Sequence, residues 1–558
     1  MSVAKPSQEP EEELLFVPLG GAGEIGMNLN LYGFGRPGAH QWMMVDLGIT
    51  FSDGQVPGVD VIMPDPAFIV GHRDRLAGLV LTHAHEDHLG AVPYLWDRLR
   101  CPIFATPFTA TILRAKLADV GLEDEAEITE VPLGGRFTVG PFDLELITLT
   151  HSIPEPNAIA IRTPAGTVLH TGDWKFDPDP VVGPTADEDA LGRLGDEGVL
   201  AMICDSTNVF SAGTSGSEAD LLESLKALIG ACGKRVVVAC FSSNVARLRT
   251  IAAAAGGRDV VLVGRSLKRI DAVARKTGYL ADVPAFLDEE DAGYLPRDKA
   301  LLICTGSQGE PRAALARIAA ESHPHVTLEE GDTVILSSKI IPGNEMAIAR
   351  LHNRLVRRGV TVITEKEEFV HVSGHPNRDE LVRMYQHVRP RISVPVHGEI
   401  RHLVEHARLA RACQVPLAVV AENGSVVRLD SAAAGVVDEV PVGRLALDGN
   451  RVVPMDGALV RGRTRALYNG SAVVTVALDG DGRLVTEAQL STIGIMEDGD
   501  SDIEDSVLAA VGAALGKMPK RARRDDTAVR EAVRIAVRRA FRDSVGKKPV
   551  TTIHVVRL

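Results

Sequence analysis

"LVLTHAHEDHLGAVPYL", residues 79–95, places four side chains that can hold a metal, His83, His85, Asp87 and His88, between an apolar run and a helical pattern. The apolar run reads as a buried strand. His83 and His85, at i and i+2 where that strand ends, project to the same side. Asp87 and His88, on the turn into the helix, can face a second position nearby. This geometry suits two adjacent cations. The bland alternative is a His-rich surface turn, and four donors within six residues weigh against it in a chain with 17 His among 558 residues.

A site for two cations needs more ligands and a bridging carboxylate. Three isolated candidates end apolar runs: His151 in "LELITLTH", Asp173 in "GTVLHTGD" and His397 in "RISVPVH". Taken singly, each suits a turn or cap; beside the cluster, each becomes a candidate ligand. Imidazoles and carboxylates without a thiolate suit Zn²⁺ or Mn²⁺. The six cysteines are scattered with no CxxC pair, which argues against a zinc ribbon and for a reduced compartment.

"GGAGEIGMN", residues 20–28, raises a competing reading. Gly21, Gly23 and Gly26 have the spacing of a dinucleotide-binding loop, and Asp46 in "MVDLG" stands where a ribose-binding acid would. That loop must open a helix whose N-terminus meets the pyrophosphate. Here "MNLNLYGF" follows, with Met27, Leu29 and Leu31 alternating against Asn28, Asn30 and Tyr32, the period of a half-buried strand. A hairpin is therefore expected, and Asp46 is left for another role.

The chain is long enough for several domains, and 45% hydrophobic with 24% charged residues is ordinary for a globular protein. Its acidic N-terminus has no apolar core, and no window of eighteen apolar residues occurs, so neither secretion nor membrane spanning is expected and a cytoplasmic location is. The net charge of −14 conceals a basic tail, with 13 Lys/Arg against 4 Asp/Glu in residues 517–558. Whole-chain charge therefore excludes no polyanionic substrate. In the tail, Arg530, Arg534, Arg538 and Arg542 recur opposite Val529, Val533, Val537 and Phe541, predicting a helix with one core face and one basic stripe. That stripe is read as a solvated face, with RNA contact or subunit pairing as alternatives.

Short strands dominate up to about residue 175. Helices and strands then alternate from "EADLLESLKALIGA" to "VTVITEK", the pattern of a helix-covered parallel sheet. These textures, with the motifs below, divide the chain into 14–207 and 371–450 as two parts of one domain, 208–370 as an α/β insert, 451–464 as a Gly/Pro-punctuated linker, and 465–558 as a small α+β domain.

"HAHEDH", His151, "TGD" with Asp173 and an early "DLG" with Asp46 together resemble the metallo-β-lactamase superfamily. By that resemblance His83, His85 and His151 hold one cation, Asp87 and His88 a second, Asp173 bridges them, and Asp46 orients ligands from behind. Asp205 in "CDSTN", His375 in "HVSGH" and His397 in "PVHGE" match three further motifs of the β-CASP nucleases. The resemblance implies an α/β fold: an αββα sandwich split by a β-CASP domain, followed by the α+β domain. His397 is the residue found in RNA-type members at that motif.

With "PLGGAGEIGMN" and "CFSSN", residues 14 to about 455 are similar to the bacterial ribonuclease J family, and the tail less so. Trp174, where Phe is expected, is a departure that leaves the candidate ligands untouched. The resemblance implies 5′ to 3′ exonuclease activity on 5′-monophosphate RNA with endonuclease activity, in RNA maturation and decay. It also implies two divalent ions, Zn²⁺ with Mn²⁺ or Mg²⁺ as alternatives. His375, Asp87 and Asp205 are the expected catalytic residues; His371, Ser373, Gly374, His375 and Ser243 are expected to bind substrate. Single-stranded RNA is the expected partner, with homodimers or homotetramers and RNA-degradation proteins as further associates. A β-CASP DNA nuclease and a small-ester hydrolase are the rival readings. In "CTGSQGEP", Gly306, Ser307 and Gly309 read as a simple glycine loop.

Overall fold

The computed structural model describes residues 12–52, 54 and 56–558. By its internal contacts the chain forms two compact units, the first built from residues up to Thr50 and Met63–Gly443, the second from Phe51–Ile62 and Arg444–Leu558.

In the first unit, the expected hairpin forms. Strand Glu13–Gly20 pairs antiparallel with Leu29–Gly35, and no helix follows Gly26. The dinucleotide reading therefore fails for want of a helix N-terminus to meet a phosphate. These strands lie inside an eight-stranded sheet with Gln41–Val45, Leu76–Val80, Ile103–Ala105 and Ser425–Arg428. A seven-stranded sheet carries Phe142–Thr148, Asn157–Thr163, Gly166–His170, Ala201–Asp205 and Ile392–Val396.

Phe16, Tyr32, Val45 and Val80 of the first sheet share one core with Leu144, Ile161, Val168, Ile203 and Val394 of the second. Burying such alternating apolar faces against each other is the main stabilising term of a sandwich. The opposite face of the second sheet, through Leu169 and Met202, packs on helices Glu188–Glu197, Arg378–Val388 and Ile400–Ala412, with Trp174 fully buried among them. Helices thus flank a two-sheet sandwich.

The insert is a six-stranded, wholly parallel sheet with Val236–Ala239 and Ala300–Cys304 at its centre, covered by helices such as Val245–Ala253 and Glu345–Arg357. It leaves after strand Ala201–Asp205 and returns before strand Ile392–Val396. Those two strands pair in parallel, Asp205 opposite Val396, so the chain ends bearing Asp205 and His397 emerge side by side.

The second unit holds a three-stranded sheet, Gln489–Ile493, Ser471–Leu478 and Val550–Arg557, packed on helices Ser501–Lys517 and Asp526–Val545. Val529, Val533, Val537 and Phe541 are buried, as the tail pattern predicts. Residues 451–464 are not an open linker: they form strand Arg451–Pro454 and begin helix Ala458–Asn469. Their Gly/Pro punctuation marks the helix start, with Gly457 as its N-cap. Residues 51–62 also leave the first domain, because strand Val61–Pro64 pairs with the distant Arg444–Asp448.

Candidate metal centre

The strand before "HAHEDH" ends at Val80, so His83 and His85 sit in the turn beyond it and His85 is the N-cap of the short helix Glu86–Leu89. Their convergence comes from this turn and not from strand alternation. Three groups of candidate ligands result: His83, His85, His151 and Asp173; Asp87, His88, Asp173 and His397; and the smaller Asp173, Asp205 and His375. Asp173 belongs to all three, and the first two offer four side chains each. Its Oδ2 lies 3.2 Å from His88 Nε2, 3.6 Å from His397 Nε2, 3.8 Å from His151 Nε2 and 4.0 Å from His83 Nε2. Its Oδ1 is buried and accepts no hydrogen bond among the described residues.

The hydrogen-bond pattern decides which ring nitrogens carry lone pairs. Thr82 Oγ1 donates to Asp46 Oδ2 at 2.8 Å, so its own oxygen is left to accept from His83 Nδ1 at 3.0 Å. His151 Nδ1 donates to the Gly374 carbonyl at 2.5 Å, and His88 Nδ1 donates to Asp46 Oδ2 at 2.7 Å. Each of these imidazoles therefore turns Nε2 to the centre, where His83 and His151 offer a lone pair. His85 Nδ1 lies 3.1 Å from His83 Nε2 and 3.0 Å from His151 Nε2, so a single proton or cation among the three nitrogens offsets the repulsion of their lone pairs. The donor set fits divalent ions in the first two groups.

Electrostatics agree. Burial, reinforced by neighbouring imidazoles, holds His83 and His151 well below the usual histidine range, and burial takes His85 to about 4. All three are neutral donors. Burial alone would raise Asp173, but His397, His88 and His375 hold it well below the carboxylate range. Burial likewise opposes charge on His88, yet Asp173, Asp87 and Asp46 raise it well above the usual value. The second group calls for positive charge.

Backbone strain is present here. Asp46 and His397 are non-glycine residues with φ of +65° and +51°. Such conformations are kept only where surroundings over-determine them. Gly48, two residues after Asp46, is required by close packing: a Cβ there would stand 1.7 Å from the Asp87 carbonyl oxygen.

Of the other expected residues, His375 Nδ1 lies 2.8 Å from Asp205 Oδ2 and 3.9 Å from Asp173 Oδ2. Ser373 Oγ accepts from Asn208 Nδ2 at 2.7 Å and from His375 N at 3.2 Å. Ser243 Oγ lies 3.1 Å from His85 Nε2. His371 stands apart from all three groups, held well below its ordinary value by burial and then by Arg247, Lys339 and Lys175. Two residues went unread in the sequence. Thr82 resembles any strand-end threonine, and Asn28 an outward residue of an alternating strand; the only signal for Asn28 would have been a polar side chain that the structure buries to 3% exposure.

Comparison with known proteins matches four family models. Residues 36–237 match the metallo-beta-lactamase superfamily, 233–355 the ribonuclease J beta-CASP domain, 359–420 the Zn-dependent metallo-hydrolase RNA specificity domain, and 458–558 the ribonuclease J C-terminal domain. The chain is 46% identical to a ribonuclease J of Sinorhizobium meliloti, covering 98% of both chains. It is 39% identical to one of Mycolicibacterium smegmatis, over 97% of this chain and 96% of that one. It is 34% identical to one of Thermus thermophilus, over 97% of this chain and 95% of that one. A crystal structure of an Enterococcus faecalis V583 protein of unknown function shares the fold at a TM-score of 0.50 and 16% identity, covering 75% of this chain and 100% of that one.

Proposed function

The chain belongs to the ribonuclease J family and is a metal-dependent ribonuclease; from that premise we propose a 5′ to 3′ exonuclease on 5′-monophosphate RNA that also cuts internally, with two divalent ions, Zn²⁺ by preference, at its centre. The observation that carries the two-ion reading is Asp173, one buried carboxylate shared between two groups of imidazoles. His83, His85 and His151 would hold one ion with Asp173, and Asp87, His88 and His397 the other. Divalent ions so held activate water for attack on phosphorus and neutralise charge on the phosphate oxygens.

The chain's own contribution begins with binding. Ser373 Oγ accepts two hydrogen bonds, which leaves its hydroxyl hydrogen for a phosphate oxygen. Ser243, His371 and the Gly374 backbone are the further polar groups assigned to binding the RNA backbone. His375 is the proton donor. Asp205 fixes its Nδ1–H, so Nε2 is the atom that delivers a proton to the departing 3′-oxygen as the P–O bond breaks. Asp205 is thus the orienting partner and Asp87 serves chemistry as a ligand. Work in RNA maturation and decay, a cytoplasmic location, and assembly as homodimers or homotetramers with other RNA-degradation proteins complete the reading. Among the described residues no helix is long and apolar enough to cross a membrane.

The test is a set of end-labelled single strands: RNA with a 5′-monophosphate, RNA with a 5′-triphosphate, circular RNA and matched DNA, each with Zn²⁺ and with chelator. The expected order of rates is monophosphate above triphosphate RNA, with slower metal-dependent cutting of the circle. Faster cleavage of DNA, or equal rates on the two 5′ ends, would contradict it.

A further inference from the structure

Resting on the two-ion reading, we propose that Asn28 is the positioning residue of the second cation position, and that the glycine hairpin preceding it is shaped to let one amide grip three parts of that site. Asn28 Nδ2 donates to the Asp87 carbonyl oxygen at 3.0 Å and lies 3.2 Å from His88 Nε2, while Asn28 Oδ1 lies 3.0 Å from His397 Nδ1. These partners are 59, 60 and 369 residues away in sequence.

The amide cannot be turned round. A carbonyl oxygen only accepts, so the atom facing Asp87 must be Nδ2 and the atom facing His397 must be Oδ1. His397 therefore carries its hydrogen on Nδ1, and its bare Nε2 points toward Asp87 Oδ2 at 3.7 Å and Asp173 Oδ2 at 3.6 Å. Asn28 thereby fixes the tautomer of this ring, whose plane also stacks against His375.

The backbone around Asn28 serves the same end. Its N donates to the Asp87 carbonyl at 2.9 Å, and its carbonyl accepts from Gly48 N at 2.9 Å. His397 N donates to the Gly21 carbonyl at 2.6 Å, and Ala22 and Gly23 pair with Gly398 and Glu399. Gly21, at φ +84°, could carry no side chain: a Cβ would stand 2.1 Å from Asn28 Oδ1. Gly21, the first glycine of the spacing that imitates a dinucleotide loop, is thus required by Asn28 lying against it, whereas Gly23 faces Glu422 and Gly26 faces Thr50 and Asp87. Because the main-chain bonds survive substitution, losing the side chain should loosen the site before it unfolds the hairpin.

The experiment strips the full-length protein with chelator, reloads it with Zn²⁺, and measures stoichiometry and stepwise affinity by competition. Asn28→Ala is compared with Asn30→Ala, a control two residues on, in strand Leu29–Gly35, that is 2% exposed and whose Oδ1 has no partner among the described residues. Expected is about a 10–100-fold loss in affinity for the second Zn²⁺ in Asn28→Ala, the usual range for partners behind metal ligands, with the first unchanged. Asn30→Ala should keep both affinities. Should Asn28→Ala fail to fold, Asn28→Asp keeps the volume and the acceptor for His397 but loses both donors, and should show the same selective weakening. Equal loss of both ions, an unchanged second affinity, or the same selective loss in Asn30→Ala would overturn the inference. Wild-type protein holding a single Zn²⁺ would overturn the two-ion reading and this inference with it.

Discussion

His375 Nδ1 and Asp205 Oδ2 stand 2.8 Å apart across 170 residues of chain, in two loops tied together by Asn208 Nδ2, which donates to Ser373 Oγ and to the His375 carbonyl. Burial lowers the His375 pKa, but Asp205 and then Asp173 outweigh it and raise it to about 9. A raised histidine is charged below that value and loses its proton as pH climbs through it. Cations bound at Asp173 would weaken that carboxylate's part, leaving Asp205 as the chief support of the imidazolium. Asp205→Asn should therefore move the alkaline limb of the kcat profile to lower pH, and His375→Ala should lower kcat by about 10²–10⁴-fold. An alkaline limb that stays in place in Asp205→Asn would remove His375 from the role of proton donor.

Thr82 fixes His83 through one hydroxyl that donates to Asp46 and accepts from the ring. Thr82→Val keeps the volume and removes both bonds. Zinc affinity measured by chelator competition should fall about 10–100-fold, and Thr82→Ser should restore most of it. A valine variant with wild-type affinity would show that the ring is held by packing alone.

Glu218 and Arg247 form a buried ion pair where the chain enters the insert, their side chains 2% and 1% exposed and 2.9 Å apart. Glu218 also accepts from Asn244, and its own N donates to Asp177. Removing one partner strands the other charge, so Glu218→Ala should cost about 3–5 kcal/mol, read from the urea transition of the insert. A loss below about 1 kcal/mol would mean that water or rearrangement rescues Arg247.

The candidate ligands were legible because "HAHEDH" concentrates donors in one turn, and because His151, Asp173 and His397 each terminate an apolar run. Between His375 and His397, "RDELVRMYQHV" has the amphipathic period of a helix, and it forms one as Arg378–Val388. Residues whose work depends on distant contacts were not. Asn28 reads as the outward member of an alternating strand, and only the fold reveals that the outward side meets Asp87 and His397. Residues 51–62 have no local mark of belonging with residues 444–558, since strand pairing over such a separation leaves no period in either segment. The stretch at 451–464 misled because Gly and Pro punctuate element boundaries as well as linkers.

The most direct test of the whole account is elemental analysis of active protein alongside Asp173→Ala, with cleavage of 5′-monophosphate RNA measured on the same samples. The account predicts about two divalent ions per chain in the wild type, and their loss together with RNA cleavage when the bridging carboxylate is removed. Full cleavage by metal-free protein, or by Asp173→Ala, would contradict it.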